Sequence, residues 1–76
     1  MILEEQRSPQ GNPEQLQQAL RFLLLRYSKS PSPTVAGRIV ICLEDLLAHP
    51  ALKVAPQERC TYRRMRTYWR LVESLG

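Results

Sequence analysis

Two cysteines and one histidine are all that this chain offers to redox or metal chemistry. A pair of thiols is too few for the disulfide framework of a small secreted domain. Cys42, Cys60 and His49 also lack any spacing that a metal centre uses, so neither a metal nor a cofactor is expected. The chain has no glycine-rich phosphate loop and no recognisable pairing of a nucleophile with a base. The neighbouring carboxylates Glu44 and Asp45 would point about 100° apart on a helix, so they do not face each other across a substrate. The expectation is a protein without catalysis and without a small-molecule substrate.

Long apolar runs are missing as well. The longest, Ile39 to Leu43, falls far short of the roughly 18 residues that cross a bilayer. No stretch combines a basic head, an apolar run and a small-residue cleavage site in the manner of a secretion signal. A soluble protein in a reducing cytoplasm, with no membrane partner, is the expected setting. Strand signals are absent too, because no alternating run is flanked by a hairpin turn. No internal repeat is visible.

Helix and charge remain. The apolar fraction of 43% is that of a globular chain. A length of 76 residues allows one domain at most, near the small end of what folds without staples. A core of that size supplies only about 3–5 kcal/mol of net stability, so a partner or self-association would add substantially to it.

The punctuation predicts three helices. Residues 1–11 lack a sustained period and end in the loop composition Ser8-Pro9-Gln10-Gly11, which reads as a flexible or loosely docked tail. Asn12 is a good cap, Pro13 suits a first helical position, and Gln15 follows at capping-box spacing. Leu16, Ala19, Leu20, Leu23 and Tyr27 then share one stripe, so a helix is expected over about 13–28. Ser32 and Pro33 repeat the start signal for a helix over 33–48, whose wide apolar face includes Val35, Ala36, Ile39, Val40, Cys42, Leu43, Leu46 and Leu47. There Cys42 packs as a small hydrophobe, and Ala36-Gly37 mark a close backbone approach. Pro56 and Glu58 open a third helix over 56–75, with Gly76 at its end. The expected fold is all-α, a compact three-helix bundle over residues 12–76.

The net charge of +4 is unevenly placed. Residues 1–48 carry five basic and five acidic groups, whereas residues 49–76 carry six basic groups against Glu58 and Glu73. Within the third helix Arg59, Arg63, Arg66 and Arg70 recur at i, i+4, i+7 and i+11. At a rise of about 1.5 Å per residue they form a row about 16 Å long. Tyr62, Met65, Tyr68, Trp69, Val72 and Leu75 fall on another sector, facing the core or its edge. Like charges in a row repel by a few tenths of a kcal/mol per pair, so the row points to an anionic partner. An acidic protein surface and nucleic-acid phosphates both fit arginine's bidentate geometry, and Tyr62 and Trp69 border the row where bases would stack. A solvated face paired in part with Glu58, Glu73, Glu44, Asp45 or Glu14 is the plainer alternative.

Three apolar residues fall outside their own helical stripes. Phe22 and Leu25 point about 120–180° from the Leu16–Tyr27 stripe, and Ile41 lies outside the apolar sector of its helix. Burying each would contribute about 1.5–3 kcal/mol, so they mark an apolar interaction surface. Ile2 and Leu3 of the tail, a helical partner or a second copy of the chain are its candidate covers, and scattered exposure that needs no cover is the plainer alternative. The expected function is a non-enzymatic interaction module, a regulator or adaptor, with nucleic-acid binding through the third helix as the alternative.

Overall fold

The computed structural model describes residues 12–76. They form three helices, α1 (Pro13–Lys29), α2 (Pro33–Ala48) and α3 (Pro56–Leu75), with no strand among the described residues. The all-α three-helix bundle expected from the sequence is therefore the fold, and the helix bounds agree to within one residue. The tail expected over residues 1–11 lies outside the described residues.

Each helix begins as its sequence requires. Asn12 is extended and its Oδ1 accepts from the Gln15 N–H at 2.8 Å, directly before Pro13. Ser32 is extended as well, and its Oγ accepts from the Val35 N–H at 3.2 Å, directly before Pro33. Both side chains satisfy one of the four N–H groups that a helix start leaves without a partner. Ala55 makes no such bond. The start of α3 rests instead on Pro56, whose missing N–H removes one orphan donor, and on Glu58 beside the positive end of the helix.

α2 is the hub of the bundle. It packs against both α1 and α3, whereas no Cα of α1 comes within 8 Å of one in α3. Seven of its residues are buried, from Val35 to Leu46, and Ile39, Leu43 and Leu46 have no accessible surface. α1 contributes only Leu16 and Leu20 to the buried core, and Leu52 comes from the link between α2 and α3. α3 has no buried residue at all; Tyr62, Met65 and Trp69 are half-buried and lie against the core from one side. Two side-chain contacts tie the outer helices together. Gln17 donates from Nε2 to the Tyr62 hydroxyl at 3.1 Å, and the Tyr27 and Trp69 rings meet edge to face at 4.9 Å.

Polar contacts along α2 fix the antiparallel placement of α3. A Cβ built on Gly37 would lie 2.8 Å from Oε2 of Glu73, so a side-chain carboxylate of α3 crowds Gly37 in place of the close backbone approach expected at Ala36-Gly37. α2 has no acidic residue in its own first turn and no basic residue in its last. α3 supplies both charges, Glu73 near the start and Arg59 at the end, where Nη1 donates to the Leu47 carbonyl at 3.1 Å. Each charge opposes the partial charge of the helix end it meets.

Single-sided packing of α3 corrects part of the sequence expectation. Tyr68 and Leu75, placed with the core sector, are 58% and 84% exposed, and Leu71 joins them at 58%. Ala19 of the α1 stripe is exposed as well. One neighbouring helix covers a narrower sector than two would, so residues at the margins of each stripe stay in water.

A core centred on α2 makes Leu43 the sensitive position. Leu43→Ala should lower the unfolding free energy by about 2–5 kcal/mol, whereas Leu71→Ala should change it by less than about 0.5 kcal/mol. Urea denaturation followed by circular dichroism measures both, and equal losses would contradict this packing.

Candidate interaction surfaces

The four arginines of the row divide between the fold and the solvent. Arg59 is half-buried and hydrogen-bonded to the end of α2. Arg70 pairs with Glu44 through Nη2 and Oε2 at 2.5 Å, with 56% and 40% of the two side chains exposed. A pair that open to water contributes about 0–1 kcal/mol, so it orients Arg70 more than it stabilises the bundle. Arg66 lies half-buried, and its Nε is enclosed without a hydrogen-bond partner. An unsatisfied donor of that kind costs about 1–3 kcal/mol. Arg63 is exposed, with no ion pair or hydrogen bond from its side chain. Arg64, one residue on, is equally exposed and equally unpaired.

The aromatic residues beside the row belong largely to the fold. Trp69 is held edge to face by Tyr27 at 4.9 Å and by Tyr68 at 5.2 Å. The Tyr62 hydroxyl accepts from Gln17, and both side chains are half-buried. Tyr68 is the aromatic of α3 that stands furthest into solvent. Together with Arg64, Leu71 and Leu75 it lies at i, i+4, i+7 and i+11, an outward stripe that sequence reading assigned in part to the core.

Phe22, Leu25 and Ile41 are 59%, 64% and 58% exposed, as their positions off the helical stripes imply. The first two meet in a shallow groove at the end of α1, which Arg26 and Lys29 also line. Phe22 and Arg26 also line a second depression, between α1 and α2, together with Leu23, Ser32, Thr34, Val35 and Arg38. Ile41 lies one turn beyond Arg38 on the outer face of α2. Sequence reading missed the cations of this region. The spacing Phe22, Leu25, Arg26, Lys29 was legible on one helix, but the approach of Arg38 depends on how α1 crosses α2.

Both thiols are free, Cys42 buried and Cys60 exposed. Cys42 donates to the Leu16 carbonyl at 3.2 Å. Burial, and secondarily the charge of Asp45, push its pKa up to about 11, which keeps the thiol neutral and inert. The His49 Nδ1 accepts from the Ala51 N–H at 3.0 Å in the turn after α2. Among the described residues no cluster of three or more His, Cys, Asp or Glu could hold a metal ion. None of the described helices is long and apolar enough to cross a membrane.

The division of the row predicts a difference between two arginines of identical chemistry. Arg59→Ala should destabilise the fold by about 1 kcal/mol, from the lost hydrogen bond and the lost cation at the end of α2. Arg63→Ala should leave stability within about 0.5 kcal/mol. Urea midpoints of the two variants give the comparison, and a loss at Arg63 as large as that at Arg59 would contradict the assignment.

Comparison with protein-family models, with curated proteins and with solved structures finds no match to the chain, so these surfaces alone carry the functional argument.

Proposed function

We propose that this protein is a non-enzymatic interaction module, a small regulator or adaptor that docks onto an acidic protein surface. The observation that carries it is a charge imbalance left open by the fold. Residues 12–76 hold ten basic and five acidic side chains, a net of +5, and Arg70–Glu44 is the one ion pair among the described residues. Folding gains nothing from such an excess, since like charges repel, and a surface that keeps it steers an oppositely charged partner toward it.

Protein is favoured over nucleic acid as that partner for two reasons. Exposed cations occur on all three helices rather than along one groove, with large apolar side chains such as Phe22, Leu25, Ile41 and Leu71 interleaved among them. The rings that would stack on bases, Tyr62 and Trp69, are instead engaged within the bundle. Apolar contact with carboxylates at the margin is a protein–protein pattern, whereas phosphate binding calls for a continuous basic track.

The two partner classes respond differently to salt. In fluorescence anisotropy titrations, a labelled peptide built from glutamate and leucine should bind more tightly than a labelled DNA duplex. It should also retain most of its affinity as salt rises from about 50 to about 200 mM, a range over which binding through about four phosphate contacts falls by roughly a hundredfold. Tighter binding to the duplex, lost steeply with salt and abolished in Arg63→Glu, would establish nucleic acid as the partner and overturn the proposal.

A further inference from the structure

Where on the molecule an acidic partner would dock is a separate question from whether one exists. We infer that the docking site is the double groove around Phe22 and Arg26, at the open end of the α1–α2 pair, and that its occupant is an acidic amphipathic segment of another protein. The inference rests on the function proposed above, and it moves the binding site away from the arginine row of α3.

Three observations converge on this groove. Phe22 and Arg26 line both depressions, so one ring and one guanidinium belong to both hollows, the outer mostly apolar and the inner of mixed lining with Ser32 and Thr34. Leu25 adds apolar surface to the outer depression, and Leu23 with Val35 to the inner one. The volumes are about 360 and 250 Å³, the first at the bottom of the range of about 300–1,000 Å³ for small-molecule sites and the second below it. Two shallow, open hollows side by side suit two anchoring side chains of a docked helix, spaced as on one helical face.

Charge selects the occupant. Arg26, Lys29 and Arg38 border the two hollows, and no carboxylate lines either one. None of these three cations has an ion-pair partner among the described residues. The groove near the start of α1, by contrast, includes Glu14 beside Lys53 and has no such bias. An apolar anchor flanked by glutamate or aspartate would bury its side chain against Phe22 while its carboxylates meet two guanidinium groups in bidentate geometry.

A second copy of the chain lacks the complement. The groove is cationic on both copies, and the acidic side chains of the described residues are dispersed. Glu44 is paired with Arg70, Asp45 beside it is half-buried, Glu73 lies on Gly37, and Glu14 and Glu58 open α1 and α3. A lipid surface is flat, and it would meet a protruding apolar wedge rather than a pair of hollows.

The test uses the full chain and an amphipathic helical peptide of leucine and glutamate, with mapping by amide NMR. Shifts should concentrate at residues 21–30 and 34–38. Arg26→Glu should weaken the peptide by roughly tenfold or more, and Phe22→Ala should do so without loss of helicity, since Phe22 is 59% exposed. Arg63→Glu should leave the affinity within about twofold. A peptide with lysine in place of glutamate should not bind.

Shifts centred on Arg63 and Arg64 would overturn the inference while leaving an acidic-partner function intact. Absence of any binding would remove both. Co-sedimentation with anionic vesicles in preference to the peptide, or a concentration-dependent sedimentation coefficient abolished by Phe22→Ala, would give the groove to lipid or to self-association and overturn the inference. A chain shortened by residues 1–11 should bind within about threefold of the full chain. A gain above roughly tenfold would make the chain's own Met1–Glu5 the occupant instead.

Discussion

The burial of α2 between two helices whose backbones stay apart, and which meet through side chains such as Gln17 with Tyr62 and Tyr27 with Trp69, is the constraint on which the rest of the molecule depends. Ile39, Leu43 and Leu46 meet the core from one helix, and α1 and α3 contribute mainly by covering its two sides. A bundle built in this way needs only narrow apolar stripes on its outer helices. The remaining faces of α1 and α3 are free of any role in folding, which is why large apolar residues and unpaired cations persist there without destabilising the core.

Electrostatics divide in the same manner. α3 carries Glu73 toward the start of α2 and Arg59 to its end, so it neutralises both ends of a helix that has no charges of its own at those places. Arg70 adds a solvent-exposed pair with Glu44. These contacts choose the direction and register of α3 more than they contribute energy, since each is worth about 1 kcal/mol or less. Cations that take no part in this seam, among them Arg26, Lys29, Arg38, Arg63 and Arg64, account for the positive field around the bundle. The acidic partner proposed above would meet a surface already oriented by the fold.

Most of the architecture was legible in the sequence because its signals are local. Asn12-Pro13 and Ser32-Pro33 mark helix starts by a cap and a fixed backbone angle, and Pro56 marks the third even though Ala55 provides no cap. Phe22, Leu25 and Ile41 declared their exposure by falling off the stripe of their own helix. The roles of the arginines were not legible in this way. Periodicity placed Arg59, Arg63, Arg66 and Arg70 in one row, but the row lies at the edge of the α2 contact. The axial register of α3 on α2 decides that Arg59 reaches Leu47 and Arg70 reaches Glu44, and a rotation of a few tens of degrees decides how far Arg63 and Arg66 stand in water. The exposure of Tyr68 and Leu75 escaped for a related reason: a stripe gives the direction of burial, while its width depends on how many neighbours a helix has.

Native-state hydrogen exchange tests the central claim most directly. If α2 is the hub, its amides between Ile39 and Leu46 should be the most protected and should exchange only through global unfolding, with α3 opening at a lower free energy. Protection across Tyr62–Trp69 equal to that of α2 would contradict the account, because it would place α3 within the core rather than upon it.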